Sequence, residues 1–306
     1  MIRELLSELE MIERELDDCR DEEREALHIR RAALLAQCRA LSAEDQVLLA
    51  RHPRRPKIDA YISALFTDFF EQRGDRSCRD DRSILCGIAL FHGEPVTIIG
   101  HRKGNDINEN MAYNFGMPGP EGYRKALRAM QQAEKFGRPV ITFIDTPGAY
   151  PGMEAEERGQ GEAIARNLAA MSRLKVPVVS VVTGEGNSGG ALAIGVANRV
   201  MMLENAYYAV LSPEGFASIL WKDPARRAEA CEVMKLTAGH LLDFGVIDEI
   251  VPEAVGGAQR DIPALMRELD AAIARALSSL RGMDGDALTA QRYEKFRTMG
   301  QIEGTI

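Results

Sequence analysis

No two cysteines in this sequence stand in a Cys-x-x-Cys spacing. The five that occur, Cys19, Cys38, Cys78, Cys86 and Cys231, are scattered and odd in number. Neither a zinc site nor a disulfide framework is expected from them, and a reducing cytoplasm is the simple inference. No run of about 18 apolar residues occurs, so no membrane-spanning helix is expected. Excess positive charge is also missing. A net charge of −8 argues against nucleic acid as the main partner. Met1-Ile2-Arg3-Glu4 leads into acidic helical sequence and does not read as a signal peptide. His92, His101 and His240 stand isolated and read as structural or solvated groups. Cys86 sits in an apolar run and reads as core.

What is present divides into two blocks. Residues 1–50 form a helical or coiled segment, and residues 51–306 form a larger α/β domain. In the first block Ile2, Leu5, Leu9, Ile12, Leu16 and Cys19 step by 3, 4, 3, 4, 3, an a/d stripe. A second apolar helix pattern covers Ala32 to Leu41. Asp17-Asp18 and Asp21-Glu22-Glu23 mark a polar break, so a helical hairpin or one long helix is expected, packed on a partner or on the main body.

In the second block Tyr61 to Phe70 reads as a helix. Ile84–Phe91 and Val96–Gly100 read as strands joined by a His92-Gly93 turn. A long polar loop follows from Arg102 to Pro120, then a helix from Glu121 to Phe136. Val140–Asp145 reads as a strand ending in the rigid turn Thr146–Gly152, and Glu154–Leu174 as a helix. Val178–Thr183 is the next strand, ending in Gly184-Glu185-Gly186-Asn187-Ser188-Gly189-Gly190. Ala191–Ala197 then reads as a tightly packed helix. Later expectations are strands at 200–203, 207–211 and 246–251, and helices at 213–221, 225–242, 263–280 and 286–299. Two strand–turn–helix units in succession bring two glycine-bearing turns to the same end of adjacent strands. In a parallel sheet both face one cleft.

The glycine run carries the chemistry. Free N–H groups at a helix start, with no Cβ in the way, suit a developing oxyanion. No Lys follows the glycines, which excludes a Walker A loop. The spacing reads G-x-G-x-x-G-G, but no ribose-binding acid follows about 20 residues downstream of a first strand. Ser188 lacks a His and Asp at matching spacing and reads as a helix cap, not a nucleophile. Glu154, Glu156, Glu157 and Arg158 read as first-turn charges. The Thr146–Gly152 turn reads equally as a purely structural bend or as one wall of a cleft.

Several motifs in unbroken order over about residues 50–300 resemble the carboxyltransferase alpha subunit of bacterial multisubunit acetyl-CoA carboxylase. They are Arg102-Lys103-Gly104, Asn114-Phe115-Gly116-Met117-Pro118, Pro120–Arg128, Phe143–Gly152, Ala155–Gln160, the glycine run, and Ser212-Pro213-Glu214-Gly215 with Ile219-Leu220-Trp221-Lys222. The resemblance implies an α/β fold of the crotonase-like (ClpP/crotonase) type, a spiral of ββα units, here with an N-terminal helical extension. It implies a beta-subunit partner bearing a zinc ribbon, in an α2β2 assembly. It further implies a biotin carboxyl carrier protein presenting carboxybiotin, acetyl-CoA as substrate, and a separate biotin carboxylase that uses ATP. No metal and no covalent cofactor are expected on this chain. The implied reaction gives malonyl-CoA. Carboxybiotin breaks down to carbon dioxide and a ureido anion, that anion takes a methyl proton, and the enolate attacks carbon dioxide.

The resemblance places the biotin oxyanion hole on the amides of Gly189 and Gly190, with Ala191 as a substitute for one. Gly186, Asn187, Ser188, Gly148, Ala149 and Tyr150 are expected beside the substrates, and Arg102 and Lys103 are candidates for CoA phosphates. Position 187 is Asn where the family has Gly. Asn tolerates φ > 0 next best after Gly, which preserves the loop with a side chain near the cleft. Competing readings are another biotin-dependent carboxylase or decarboxylase subunit, a hydratase, and a non-catalytic scaffold. A hydratase needs a pair of cleft carboxylates, and none stands out beside the glycine run.

Overall fold

The computed structural model describes residues 2–18 and 21–300. Helices α1 (Ile2–Asp18) and α2 (Asp21–Gln37) fold back on each other as a hairpin. The apolar stripe forms its seam: Leu9 and Ile12 meet Leu34, flanked by Leu16 and Leu27. Cys19 lies outside the described residues. The second helix begins at Asp21, not Ala32. The polar break expected around Asp17–Glu23 falls where α1 ends at Asp18 and α2 starts at Asp21. The hairpin packs on the main body. Glu13 pairs with Arg260, Glu10 pairs with Arg54, and Ile2 and Leu6 meet Leu49 and Val255. Helix α3 (Ala43–Ala50) starts in a reciprocal capping box between Ser42 and Asp45, and Ala43, Val47 and Ala50 join the main core.

Helix α4 (Ile58–Leu65) ends five residues before the expected Phe70, and strand β1 (Thr67–Glu71) takes over. The aromatic and β-branched run Phe66–Phe70 suits an edge strand, with Phe69 packed on the core and Phe70 exposed. Strands β2 (Ile84–Phe91) and β3 (Glu94–His101) form a hairpin in which His92 (φ 49°) and Gly93 (φ 83°) both take left-handed conformations. The expected long loop holds a short helix, α5 (Ile107–Ala112), capped by Asp106.

Helix α6 (Pro120–Lys135) then leads to strand β4 (Val140–Thr146). The single helix expected over 154–174 is two, α7 (Met153–Glu157) and α8 (Gln160–Met171), parted by Gly159 at φ 84°. Strand β5 (Val178–Asn187) is buried throughout and longer than expected, absorbing Gly184–Asn187. Helix α9 (Ser188–Leu192) follows at once, then strands β6 (Arg199–Leu203) and β7 (Tyr207–Ala209). Helix α10 (Pro213–Trp221) is capped by Ser212. The helix expected over 225–242 is divided by left-handed Lys235 into α11 (Arg227–Met234) and α12 (Ala238–Asp243). Strand β8 (Glu249–Val251) is a short edge, and α13 (Ile262–Leu280) and α14 (Gly285–Thr298) close the chain.

The sheet runs β1-β2-β3-β4-β5-β6-β8, antiparallel up to β3 and parallel from β3 onward. Strand β5 changes partner along its length. Val179–Val182 pair with β6, and Glu185–Asn187 pair with β7. Between those stretches the β4–β5 register slips, from Ile144↔Val182 to Thr146↔Gly186. Extra β5 residues therefore bulge beside Asp145, which re-aims the strand end, as bulges near active sites do.

Candidate functional site

The bulge is built around the Asp145 carboxylate. Its Oδ1 accepts the Glu185 amide at 3.1 Å, and a Cβ on Gly184 would stand 2.4 Å from that same oxygen. Gly184 is thus required by close approach. Beyond the bulge, β5 turns into α9 at Ser188, which is exposed and sits at φ 59°. A non-glycine residue in that conformation is strained. The amides of Ser188, Gly189 and Gly190, the first three residues of α9, have no intrahelical partner, as at any helix start.

The β4 turn comes up against this helix. A Cβ on Gly190 would meet Ala149 N at 2.4 Å, Gly148 C at 2.6 Å and Gly148 Cα at 3.0 Å. The two glycine turns therefore face each other, as parallel pairing of β4 and β5 requires. Tyr150 ties the turn to the segment before α6 by donating its amide to Pro118 O at 2.9 Å, and its hydroxyl donates to Glu154 Oε1 at 2.9 Å. Thr146 Oγ1 donates to Gly116 O at 2.6 Å and accepts Gly148 N at 3.0 Å, fixing the turn's base. On its other side α9 borders an apolar cavity of about 400 Å³, lined among others by Ser188, Gly189, Leu192, Tyr208, Val210 and Phe296.

Beneath the glycine run lies a buried ion network. Lys103 Nζ donates to Asp145 Oδ1 and Glu185 Oε1, both at 2.7 Å. Arg51 reaches Glu185 at 2.9 Å and Glu214 at 2.8 Å. The Tyr207 hydroxyl donates to Glu185 Oε2 at 2.8 Å and accepts from Arg51 at 2.7 Å and from Asn187 Nδ2 at 2.9 Å. Burial alone would raise both carboxyls, but Lys103 outweighs it and holds Asp145 and Glu185 below their ordinary values. Burial would likewise depress Lys103, yet the two carboxylates keep its pKa raised. Lys57, buried nearby without such close partners, is lowered by desolvation. The two carboxylates are thus ionised struts, not the acid–base pair a hydratase needs.

His101 is buried and links the two turns. Its Nε2 lies 3.2 Å from Gly190 O, and Asp145 N donates to its Nδ1 at 3.4 Å. A carbonyl only accepts and an amide N–H only donates, so the ring is the neutral Nε2–H tautomer. Burial pushes its pKa down to about 4, which keeps it neutral. His92, by contrast, is an exposed partner of Asp270, and His240 bonds Thr237.

Several expectations are corrected here. Lys103 is not free for a phosphate, because its ammonium is consumed between two carboxylates. Arg102 is held by Asp59 at 2.7 Å and 3.0 Å and stacks over Tyr113. Ser188 is not the helix cap. That position is Asn187, which makes no side-chain cap bond. The left-handed residue is Ser188 and not Asn187, which is extended at φ −113°. The Asn187 side chain is buried against Tyr207, away from the cleft surface. Of the three expected hole residues, Gly190 is the one brought against Gly148 and Ala149. Gly186 lies beneath them, where a Cβ would stand 3.0 Å from Tyr208. Sequence reasoning missed Asp145, Glu185, His101, Arg51 and Tyr207. The available signal was a polar residue closing an apolar strand run, as Asp145 and His101 do.

The sheet and its facing glycine turns are those of the crotonase-like fold. A solved transcarboxylase 12S, with hydrolysed methylmalonyl-coenzyme A bound, superposes with a TM-score of 0.60 at 20% identity, over 87% of this chain and 46% of that one. The chain spans less than half of that larger protein. A Pseudomonas malonate decarboxylase hetero-tetramer in complex with coenzyme A gives a TM-score of 0.61 at 21% identity, over 78% of this chain and 95% of that one.

The chain belongs to the acetyl co-enzyme A carboxylase carboxyltransferase-like family, whose model matches residues 1–300. A relative from Geobacillus thermodenitrificans is 58% identical over 262 residues, 86% of this chain and 81% of its own length. One from Geobacillus sp. (strain WCH70) is 54% identical over 302 residues, 98% of this chain and 93% of its own. One from Listeria monocytogenes is 56% identical over 260 residues, 85% and 82%. Each is named acetyl-coenzyme A carboxylase carboxyl transferase subunit alpha.

Proposed function

We propose that this chain is the alpha component of a two-part carboxyltransferase that moves the carboxyl group of carboxybiotin to acetyl-CoA, giving malonyl-CoA for fatty acid synthesis. The observation that carries this reading is the close approach of Gly190 to Gly148 and Ala149, within a family matched over residues 1–300. Carboxybiotin, as substrate, supplies the carboxyl group, and its ureido nitrogen takes the proton that the acetyl methyl group gives up. The protein's task is to hold negative oxygen in place. The amides of Gly189 and Gly190, with Ala191 able to replace one, bind the ureido oxygen. Losing one such donor costs roughly 10²–10³ in rate.

The Gly148–Tyr150 turn walls the same cleft, and Gly186 and Asn187 shape the strand end that aims it. Ser188 offers the hydroxyl at the cavity rim. Since Asp145 and Glu185 are engaged as ionised partners of Lys103 and Arg51, neither serves in the oxyanion's place. The thioester enolate belongs to a zinc-ribbon beta subunit in an α2β2 assembly. The biotin arrives on a carrier protein, loaded by an ATP-using biotin carboxylase, in the cytoplasm.

Carboxyl exchange between malonyl-CoA and biocytin, measured with and without the beta subunit, tests the reading. Exchange only in the presence of the partner is expected. Turnover by the alpha chain alone, or none in an assembled complex, overturns it.

A further inference from the structure

We infer that His101 is a positioning residue, which clamps the Gly190 carbonyl and thereby sets the direction of the Ala191 amide, the substitute donor of the oxyanion hole proposed above. This rests on the reading of the glycine turn given above. Helix α9 is only five residues long, and its carbonyl ladder changes within it. Gly189 O accepts Ala193 N at 2.9 Å in the usual helical way. One residue on, the ladder tightens, and Ile194 N bonds Ala191 O at 3.3 Å. Gly190 O is held instead by two side chains, His101 Nε2 at 3.2 Å and the Tyr123 hydroxyl at 3.4 Å.

Both side chains come from outside the strand–turn–helix unit, His101 from the end of β3 and Tyr123 from α6. Both are buried, Tyr123 fully and His101 at 2% exposure. A buried carbonyl without a partner is costly, so these bonds are structurally required. They also carry direction. The Gly190–Ala191 peptide is planar and trans, so its C=O and N–H point opposite ways. Fixing the carbonyl fixes the amide. Glycine at 189 and 190 leaves the backbone free to rotate, and this clamp removes that freedom.

The same imidazole bonds the Asp145 amide, at the base of the opposing turn. One rigid neutral ring therefore sets the spacing of both walls of the cleft. No other hydrogen-bonding side chain among the described residues touches both Gly190 and Asp145.

The test uses full-length alpha chain assembled with its beta subunit, read as malonyl-CoA–biocytin exchange with kcat and KM separated. His101→Gln returns a donor at the Nε2 position, and His101→Asn does not. His101→Asn and His101→Leu are expected to lose about 10²-fold in kcat with KM for malonyl-CoA unchanged, the loss a misplacement of about 1 Å brings. His101→Gln is expected to recover most of that loss. Should the His101 variants fail to assemble, Tyr123→Phe carries the test, with a several-fold fall in kcat expected. Parent-like kcat in His101→Leu, or in Tyr123→Phe where that variant stands in, overturns the inference, as does a Gln variant no better than Leu. Gly190→Val separates this from the underlying reading. A dead Gly190→Val beside a parent-like His101→Leu rejects only the clamp, whereas an active Gly190→Val rejects the oxyanion hole itself.

Discussion

Gly190 approaches the Gly148–Ala149 turn so closely that a Cβ there would stand 2.4 Å from Ala149 N, whereas a Cβ on Gly189 would meet only Ile164, at 3.6 Å. Adjacent glycines in one turn therefore have different reasons to be glycine. The first separates two backbones. The second leaves room for a Cβ in ordinary contact with Ile164, beside the cavity.

The two alanine variants should part accordingly. Gly190→Ala forces the β4 turn to move, and a fall in kcat of about 10²-fold is expected with assembly retained. Gly189→Ala meets no clash in the fold, and alanine in a helix is favoured over glycine by roughly 0.5–1 kcal/mol. Its melting temperature should equal or exceed the parent's while turnover falls. Thermal melts beside exchange assays check both. A fully active Gly189→Ala removes that residue from the cleft.

Lys103 separates a binding role from a supporting one. Replacing it with Met leaves Asp145 and Glu185 buried with less compensation, and breaking a buried pair this way costs about 3–5 kcal/mol. The pH slope should also flatten. In the parent both carboxyls titrate below their ordinary values of 3.8 and 4.5, so stability is full above those values and lost as pH falls. Without Lys103 burial is less opposed, with Lys57 still lowering Asp145 and Arg51 still lowering Glu185, so less stability is lost as pH falls. Urea unfolding at several pH values reads the slope. A Lys103→Met protein with unaltered stability and weakened CoA binding would return this residue to the phosphate site.

The parallel pairing of β4 and β5, and with it the meeting of two glycine turns, was legible because it follows from repeated strand–turn–helix order. The apolar stripe from Ile2 to Leu16 likewise announced a packed helix. The network under the turns was not legible. Lys103, Asp145, Glu185 and Arg51 are far apart in sequence, and nothing local distinguishes a buried lysine from one aimed at phosphate. Ser188 and Asn187 were exchanged in role for a similar reason. Which of two neighbours turns left-handed depends on where β5 pairs with β7, a long-range fact. The helix expected through Phe70 failed because edge pairing with β2 favoured an aromatic strand over local helical pattern.

His101 gives a second pH signature, in a different window. Its folded pKa of about 4 lies below the ordinary 6.5, so the folded state binds fewer protons between those values. Its contribution is complete above 6.5 and is lost progressively as pH falls toward 4. At ~1.4 kcal/mol per pKa unit the loss is roughly 3 kcal/mol. His101→Gln cannot titrate, so its stability should change less than the parent's across that window. Equal slopes for the two proteins would place the ionisation elsewhere.

Arg55 and Glu253 form an ion pair with both side chains at 0% exposure. Arg55 Nε also donates to Thr183 O at 2.6 Å, at the edge of the β5 bulge, and Glu253 accepts from Asn205 at 3.0 Å. The pair ties the segment after β8 to the strand that carries the glycine turn. Removing either charge alone strands the other in the core, so Arg55→Met and Glu253→Leu should each cost about 3–5 kcal/mol. The double variant should cost much less than the sum, since an apolar replacement leaves no buried charge. A double-mutant cycle by chemical denaturation measures the coupling. Strict additivity would show that the two side chains act independently, with Arg55 serving the Thr183 carbonyl alone.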